Sequence, residues 1–288
     1  MSGAWIIAGY AVRESVRRRV FPIVIVLTGA FLALYAFGVY KAFQSTEAFR
    51  TEEIGPGAIV DQQVLFSATL FGLAMFATLF LGTVLAIFLT HAVVRGDTER
   101  GLLQPLVVRP VGRTALLGGR FGAATAVCAV YVVCVYISTL LITHAITGWW
   151  PDRLVLPAAE LVGAVVVLVG LSLVGSVFLS AIANGIAIFM IFGAGLVAGL
   201  LGQIGEALNS GSLNTIATVS SWALPFEALY QDGLNAITAD TQGFTRAALS
   251  LGPFGGAQAA GPSLAPYVLG YLALLACAAI FGFRRRDL

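Results

Sequence analysis

Residues 64–94 read VLFSATLFGLAMFATLFLGTVLAIFLTHAVV. No Asp, Glu, Lys or Arg interrupts them, and the run is longer than the roughly 20 residues a helix needs to cross the hydrocarbon core of a bilayer. The next residues change character abruptly. The stretch 93–113, VVRGDTERGLLQPLVVRPVGR, holds Arg95, Arg100, Arg109 and Arg113 with Asp97 and Glu99, and a second apolar run follows it. An apolar rod, a dense charged connection and another apolar rod predict a polytopic helical membrane protein.

The whole chain has this composition. Of its 288 residues 59% are hydrophobic and 10% charged, against roughly 25% charged in a soluble domain. Six stretches are long and apolar enough to span: 20–43, 64–94, 114–147, 154–182, 184–201 and 266–283. The second and third exceed a bilayer's need, so their ends are expected to project from it. The expected fold is all-α, one transmembrane domain over 1–288. It comprises an interfacial helix over 1–19, a coupling loop over 95–113 between spans two and three, and an extracytoplasmic segment with surface helices over 205–265.

The arginines orient the spans. With the N-terminus in the cytoplasm, the inside holds Arg13, Arg17, Arg18, Arg19, Arg95, Arg100, Arg109, Arg113, Arg120, Arg284, Arg285 and Arg286, twelve of the 16 basic residues. The outside holds Lys41, Arg50, Arg153 and Arg246 and most of the acids, as the positive-inside rule requires. Both termini are then cytoplasmic, in the cell (plasma) membrane. The N-terminal run before span one is too charged and the span too long for a cleavable signal. Trp5, Ile6 and Tyr10 dip towards lipid while Arg13, Glu14 and Arg17 face water.

Between spans five and six, SSWALPFEALYQDGLNAI (220–237) carries Pro225, Glu227 and Asp232. Pro225 suits a first helical position. Phe226, Leu229, Tyr230 and Ile237 then share one side, and Glu227, Gln231 and Asn235 the other. This predicts an amphipathic or re-entrant helix at the outer surface.

The sequence offers no enzyme's constellation. His91 and His144 lie on different spans and read as interfacial or packing residues. Cys128, Cys134 and Cys277 lie in apolar runs without disulfide or metal spacing and read as small packing residues. No metal, catalytic or cofactor-binding residue is assigned, and a net charge of +2 implies no nucleic-acid partner. The sequence lacks G-x-x-x-x-G-K-[ST], so it holds no phosphate loop. Glu160 is the one acid inside a span. It either reaches the outer interface near Pro157 or lines a polar pathway. Gly195 and Gly199 form G-x-x-x-G in the fifth span, and Ser172, Ser176 and Ser180 recur in the fourth; such faces let backbones approach closely. The glycine face packs within one chain, or forms a dimer seam or pathway wall.

In 93–113 the residues Leu102, Leu103, Leu106 and Val107 form an apolar stripe between charged flanks, and Pro105 and Pro110 divide it into short helical pieces. Orientation alone needs arginines, not a leucine stripe. The stretch DTERGLLQPLVVRPVGRTALLGGR (97–120) resembles the cytoplasmic loop of ABC-2-type transporter permeases. Asp97, Glu99, Gly101, Leu103, Pro110, Arg113 and Gly119–Arg120 fit that pattern, with Leu102 where threonine is usual and Pro105 as a variation. RESVRRR (13–19), ALPFEALYQDGL (223–234) and the closing FRRRDL (283–288) occur in the family's order, so the resemblance covers the chain.

The resemblance implies the membrane subunit of a bacterial ATP-driven exporter. It implies a homodimer in membrane lipid, docked to a separate ATP-binding cassette ATPase that carries the ATP and Mg. Asp97, Glu99, Arg100, Gly101, Leu103, Pro110 and Arg113 would couple to that ATPase, with Arg13, Glu14 and Arg17 in the interfacial helix beside it. This chain would itself be no enzyme. Spans one, two and five would wall the pathway, and a lipophilic or amphipathic small molecule is the expected cargo. The competing readings are a secondary transporter or channel without an ATPase, and a membrane scaffold for an assembly process.

Overall fold

The computed structural model describes residues 20–46, 62–90, 113–241 and 259–284. The described residues form helices and no strands: α1 (Val20–Thr46), α2 (Gln62–Thr90), α3 (Arg113–Thr147), α4 (Val155–Phe178), α5 (Ala181–Ala207), α6 (Gly211–Ala223), α7 (Pro225–Ala236) and α8 (Leu264–Arg284). Six of them, α1 to α5 and α8, are long and apolar enough to cross a membrane. Sequences apolar all round make helices that are buried or face lipid. The 35 residues of α3 extend about 52 Å at 1.5 Å per residue, beyond a hydrocarbon core of roughly 30 Å, as its sequence predicts.

Several threonines within these helices are satisfied locally. Thr78, Thr83 and Thr90 donate to the carbonyls of Ala74, Leu79 and Ala86 four residues back. Thr143 and Thr147 do the same to Thr139 and Thr143. An apolar bundle tolerates them because each hydroxyl finds a partner in its own helix.

The bundle is built round α4, which packs against α2, α3, α5, α7 and α8. Leu161, Val165, Leu168 and Val169 of α4 meet Phe71, Met75 and Leu79 of α2 and Val132 of α3 in one core. Helices α1, α5 and α8 are peripheral, each burying 22% of its most apolar stretch against 67% for α2. The two ends of the bundle are distinct. The upper end carries the start of α4, α7 and the segment after α3. The lower end carries Thr90, the start of α3 and the α4–α5 turn.

The turns follow local chemistry. Gly148, at φ 71°, ends α3, its N–H bonding the carbonyl of His144 at 2.8 Å; a left-handed residue at this position is the usual helix stop. Trp149 then packs on Phe71, ring centroids 6.0 Å apart, while His144 stacks on Trp150 at 4.1 Å. After α5, Asn209 takes φ 50°, and the Ser210 N–H closes back on Gly205 at 2.9 Å.

At the lower end, α2, α4 and α5 are joined by buried polar groups. Thr90 and Ser172 share a hydroxyl hydrogen bond of 2.5 Å. Asn184 Nδ2 donates to the Ser172 carbonyl at 3.0 Å and to its hydroxyl at 3.2 Å. Ser176 is buried and donates to the Leu173 carbonyl. Ser180 leaves the helix, and its hydroxyl accepts from the Ala183 N–H. The serine repeat therefore serves one hydrogen-bonded junction and one turn, not a continuous seam.

Candidate upper-end cavity

The site grows from the glycines of α5. Gly195, Gly199, Gly202 and Gly205 recur at three- and four-residue spacing and share a face. A Cβ at Gly195 would overlap the Phe226 ring, and one at Gly199 the Glu227 carboxylate. A Cβ at Gly202 would stand 3.1 Å from Ala217, and one at Gly205 would overlap Asn214. The stripe is thus a bed for two helices of the same chain: α7 at its first half, α6 at its second.

Helix α7 starts at Pro225, whose missing N–H is no loss in a first turn, and lies across the top of α4. Its apolar side is buried as its pattern predicts. Phe226 stacks on Phe192 at 5.9 Å, and Tyr230 meets Phe76 edge-on at 6.4 Å. Its polar side departs from expectation. A surface helix would turn Glu227 to water, yet Glu227 is only 5% exposed, because the glycine bed draws α7 down onto α5.

Between α5, α6, α7 and the start of α8 lies a cavity of about 410 Å³. Gly195, Gly199, Asn214, Trp222, Glu227, Gln231 and Tyr267 are among its walls. Gln231 Nε2 donates to Glu227 Oε1 at 2.9 Å. Glu227 Oε2 and Gln231 Oε1 are buried and find no hydrogen-bond partner among the described residues. Burial pushes the Glu227 carboxyl up from 4.5 to about 7, and the hydrogen bond from Gln231 works the other way. Trp222 and Tyr267 form a T-shaped pair, centroids 4.7 Å apart. The Tyr267 hydroxyl donates to the Trp222 carbonyl, and the Tyr271 hydroxyl to that of Ala223 at 2.9 Å. These two bonds satisfy carbonyls at the open C-terminus of α6.

Beside the cavity, Asp232 Oδ1 of α7 accepts the Ala260 N–H at 2.8 Å, and Glu160 of α4 lies against Gly233 of α7 with its Oε2 buried and without a hydrogen-bond partner among the described residues. Glu160 sits on the first turns of α4.

The other site residues expected from sequence are distributed unevenly. Asp97, Glu99, Arg100, Gly101, Leu103 and Pro110, and Arg13, Glu14 and Arg17, lie outside the described residues. Arg113 is the first residue of α3. Gly195 and Gly199 are brought together with Phe226 and Glu227. The phenylalanines of α2 divide. Phe71 is fully buried against Tyr136 and Trp149, whereas Phe80 is half exposed beside Phe189. Sequence reading assigned no role to Glu227 and Gln231. The signal available was an acid and an amide four residues apart, downstream of a G-x-x-x-G helix long enough to receive them.

No curated protein matches the sequence significantly. Residues 5–288 match the family described as ABC-2 family transporter protein. That span includes all six membrane-crossing helices, the charged connection after α2 and the α6–α7 segment, so the chain belongs to the ABC-2 family of membrane transport proteins.

Proposed function

We propose that this chain is the permease subunit of an ATP-driven exporter, acting as a homodimer in the cell membrane and worked by a separate ATP-binding cassette ATPase. The observation that carries this is the family match across 5–288. Two features of the chain support it. The sequence contains no phosphate-binding loop of its own, and the connection between two overlong helices carries four arginines, an aspartate and a glutamate. Residues 95–113 would act as the handle through which nucleotide-driven closure of the ATPase moves α2 and α3.

The lipophilic or amphipathic cargo class is supported by the peripheral helices. Ile23, Val26 and Leu34 of α1 and Ile182, Ile186 and Met190 of α5 are exposed. Such an apolar face would meet lipid or a second copy. The pathway would run between the copies along α1 and α5. The buried position of α2 makes it a less suitable wall than its sequence suggests, except at exposed Leu73, Phe80 and Phe88.

The test is reconstitution with and without a candidate ATP-binding cassette ATPase. ATP hydrolysis and cargo movement should require both subunits. Hydrolysis by the purified chain, or uphill transport by it on a proton or sodium gradient, contradicts the proposal. Glu99→Arg should weaken co-purification of the ATPase at least tenfold without altering the thermal midpoint of the permease.

A further inference from the structure

We propose that the upper-end cavity binds a protonated primary or secondary amine carried on a compact apolar or aromatic body, with Glu227 as its counter-ion and Gln231 as a second acceptor. The reading of this site as a cargo site rests on the permease function proposed above; as a binding site it stands on its own geometry.

Two acceptors in the cavity stay unmet although Asn214, Ser220 and Ser263 also line it. Glu227 Oε2 and Gln231 Oε1 are both buried and unpartnered among the described residues. Buried polar atoms in folded proteins are nearly always bonded, and an unmet one is costly, more so if charged. An ammonium group supplies N–H donors to both oxygens and charge to the carboxylate. A quaternary ammonium would supply charge but no donor, a neutral alkane neither, and an anion would meet Glu227 with like charge.

The surroundings favour the same ligand. No Lys, Arg or His is among the described residues that line the cavity. Glu227 is the one carboxylate among the described residues that line it, and Asp232 beside it accepts the Ala260 N–H. A divalent metal would call for several oxygen ligands and commonly more than one carboxylate. Trp222 and Tyr267 offer ring surface to an organic cation, and Gly195 and Gly199 keep the α5 wall free of side chains. A volume of about 410 Å³ is far larger than a bare ion needs and lies in the range of small-molecule sites.

Titration agrees with the geometry. The groups near Glu227 are Tyr230 and Asp232 on α7 and Tyr267 on α8; α6 carries no ionisable residue. Burial holds the empty carboxyl near half-protonation at neutral pH, so an arriving ammonium should draw the proton off.

The experiment uses the full chain in lipid nanodiscs, without any ATPase, and three probes of one shape: phenethylamine, 2-phenylethanol and phenylacetate. Calorimetric titration should give saturable amine binding, at least tenfold weaker binding of the alcohol and none of the phenylacetate. Glu227→Gln should weaken the amine at least tenfold and leave the alcohol unchanged. In the unaltered protein, an apolar carbodiimide should label Glu227, and phenethylamine should protect it, as read by peptide mass spectrometry. Equal binding of amine and alcohol, or no protection of Glu227, overturns the site. Loss of the site with ATP-driven transport intact leaves the permease reading standing. Amine binding with no ATPase dependence of transport overturns that reading and leaves the site.

Discussion

Asn184 is fully buried at the start of α5, with both polar contacts directed to Ser172 across the α4–α5 turn. Gly175 makes room for it: a Cβ there would overlap Asn184 Oδ1. Hydrogen bonds between membrane helices contribute about 0.6–2 kcal/mol, so Asn184→Ala should cost about that in a thermal or denaturant titration. Gly175→Ala should cost more in the native background than in Asn184→Ala, because the second substitution removes the clash. Additive penalties in this double-mutant cycle would show that the two residues do not oppose each other. Glu227 makes a second residue-level prediction. Its folded pKa of about 7 lies above the 4.5 of the unfolded chain, so the folded state holds the proton more tightly. The associated stability is complete below pH 4.5, falls as pH rises from there through 7, and stays lost above; the loss is on the order of 3 kcal/mol. The thermal midpoint of Glu227→Gln should therefore gain on that of the native protein across this window and plateau above it. A gap independent of pH between 4 and 8 would refute the assignment.

The element that organises the upper end is α7, and its seat is a property of α5. Phe226 is fully buried and stacked on Phe192, so its ring has nowhere to go if Gly195 gains a methyl group. Overpacking of this kind costs about 1–3 kcal/mol. Gly195→Ala should accelerate amide hydrogen exchange in α7 markedly more than in α8, whereas uniform acceleration would mean that the bed is not local. The existence of α5 and α7 was legible in the sequence, through an apolar run and through Pro225 with its two-sided pattern. Their contact was not. A G-x-x-x-G stripe states that something approaches closely, but the same small residues suit a neighbour in the same chain, a second copy or a pathway. Helix α5 also runs to Ala207, past the expected end at 201, because Gly202 and Gly205 are covered by α6 and so remain in a continuous helix that their propensity alone would weaken.

For the whole molecule, the proposed orientation is open to direct measurement. In a variant without native cysteines, Asp152→Cys and Asp240→Cys should react with a membrane-impermeant maleimide on intact cells, and Arg95→Cys only after permeabilisation. Both aspartates are exposed at the upper end, where Asp152 Oδ2 accepts the Asp240 N–H at 2.8 Å. Labelling of Arg95→Cys from outside would invert the bundle. The same measurement locates the proposed amine site, since the cavity shares that end with α7.

Composition and run length by themselves determined the six spans and the all-helical class. These properties follow from the cost of leaving backbone polar groups unpaired in hydrocarbon, which acts on each segment separately and so is written along the chain. The tertiary structure alone decided which helix is central, what fills the glycine face and whether Glu227 meets water. Those outcomes depend on shape complementarity between segments far apart in sequence, such as Gly195 with Phe226 and Ser172 with Asn184 and Thr90, and no local pattern encodes which of several possible partners fits.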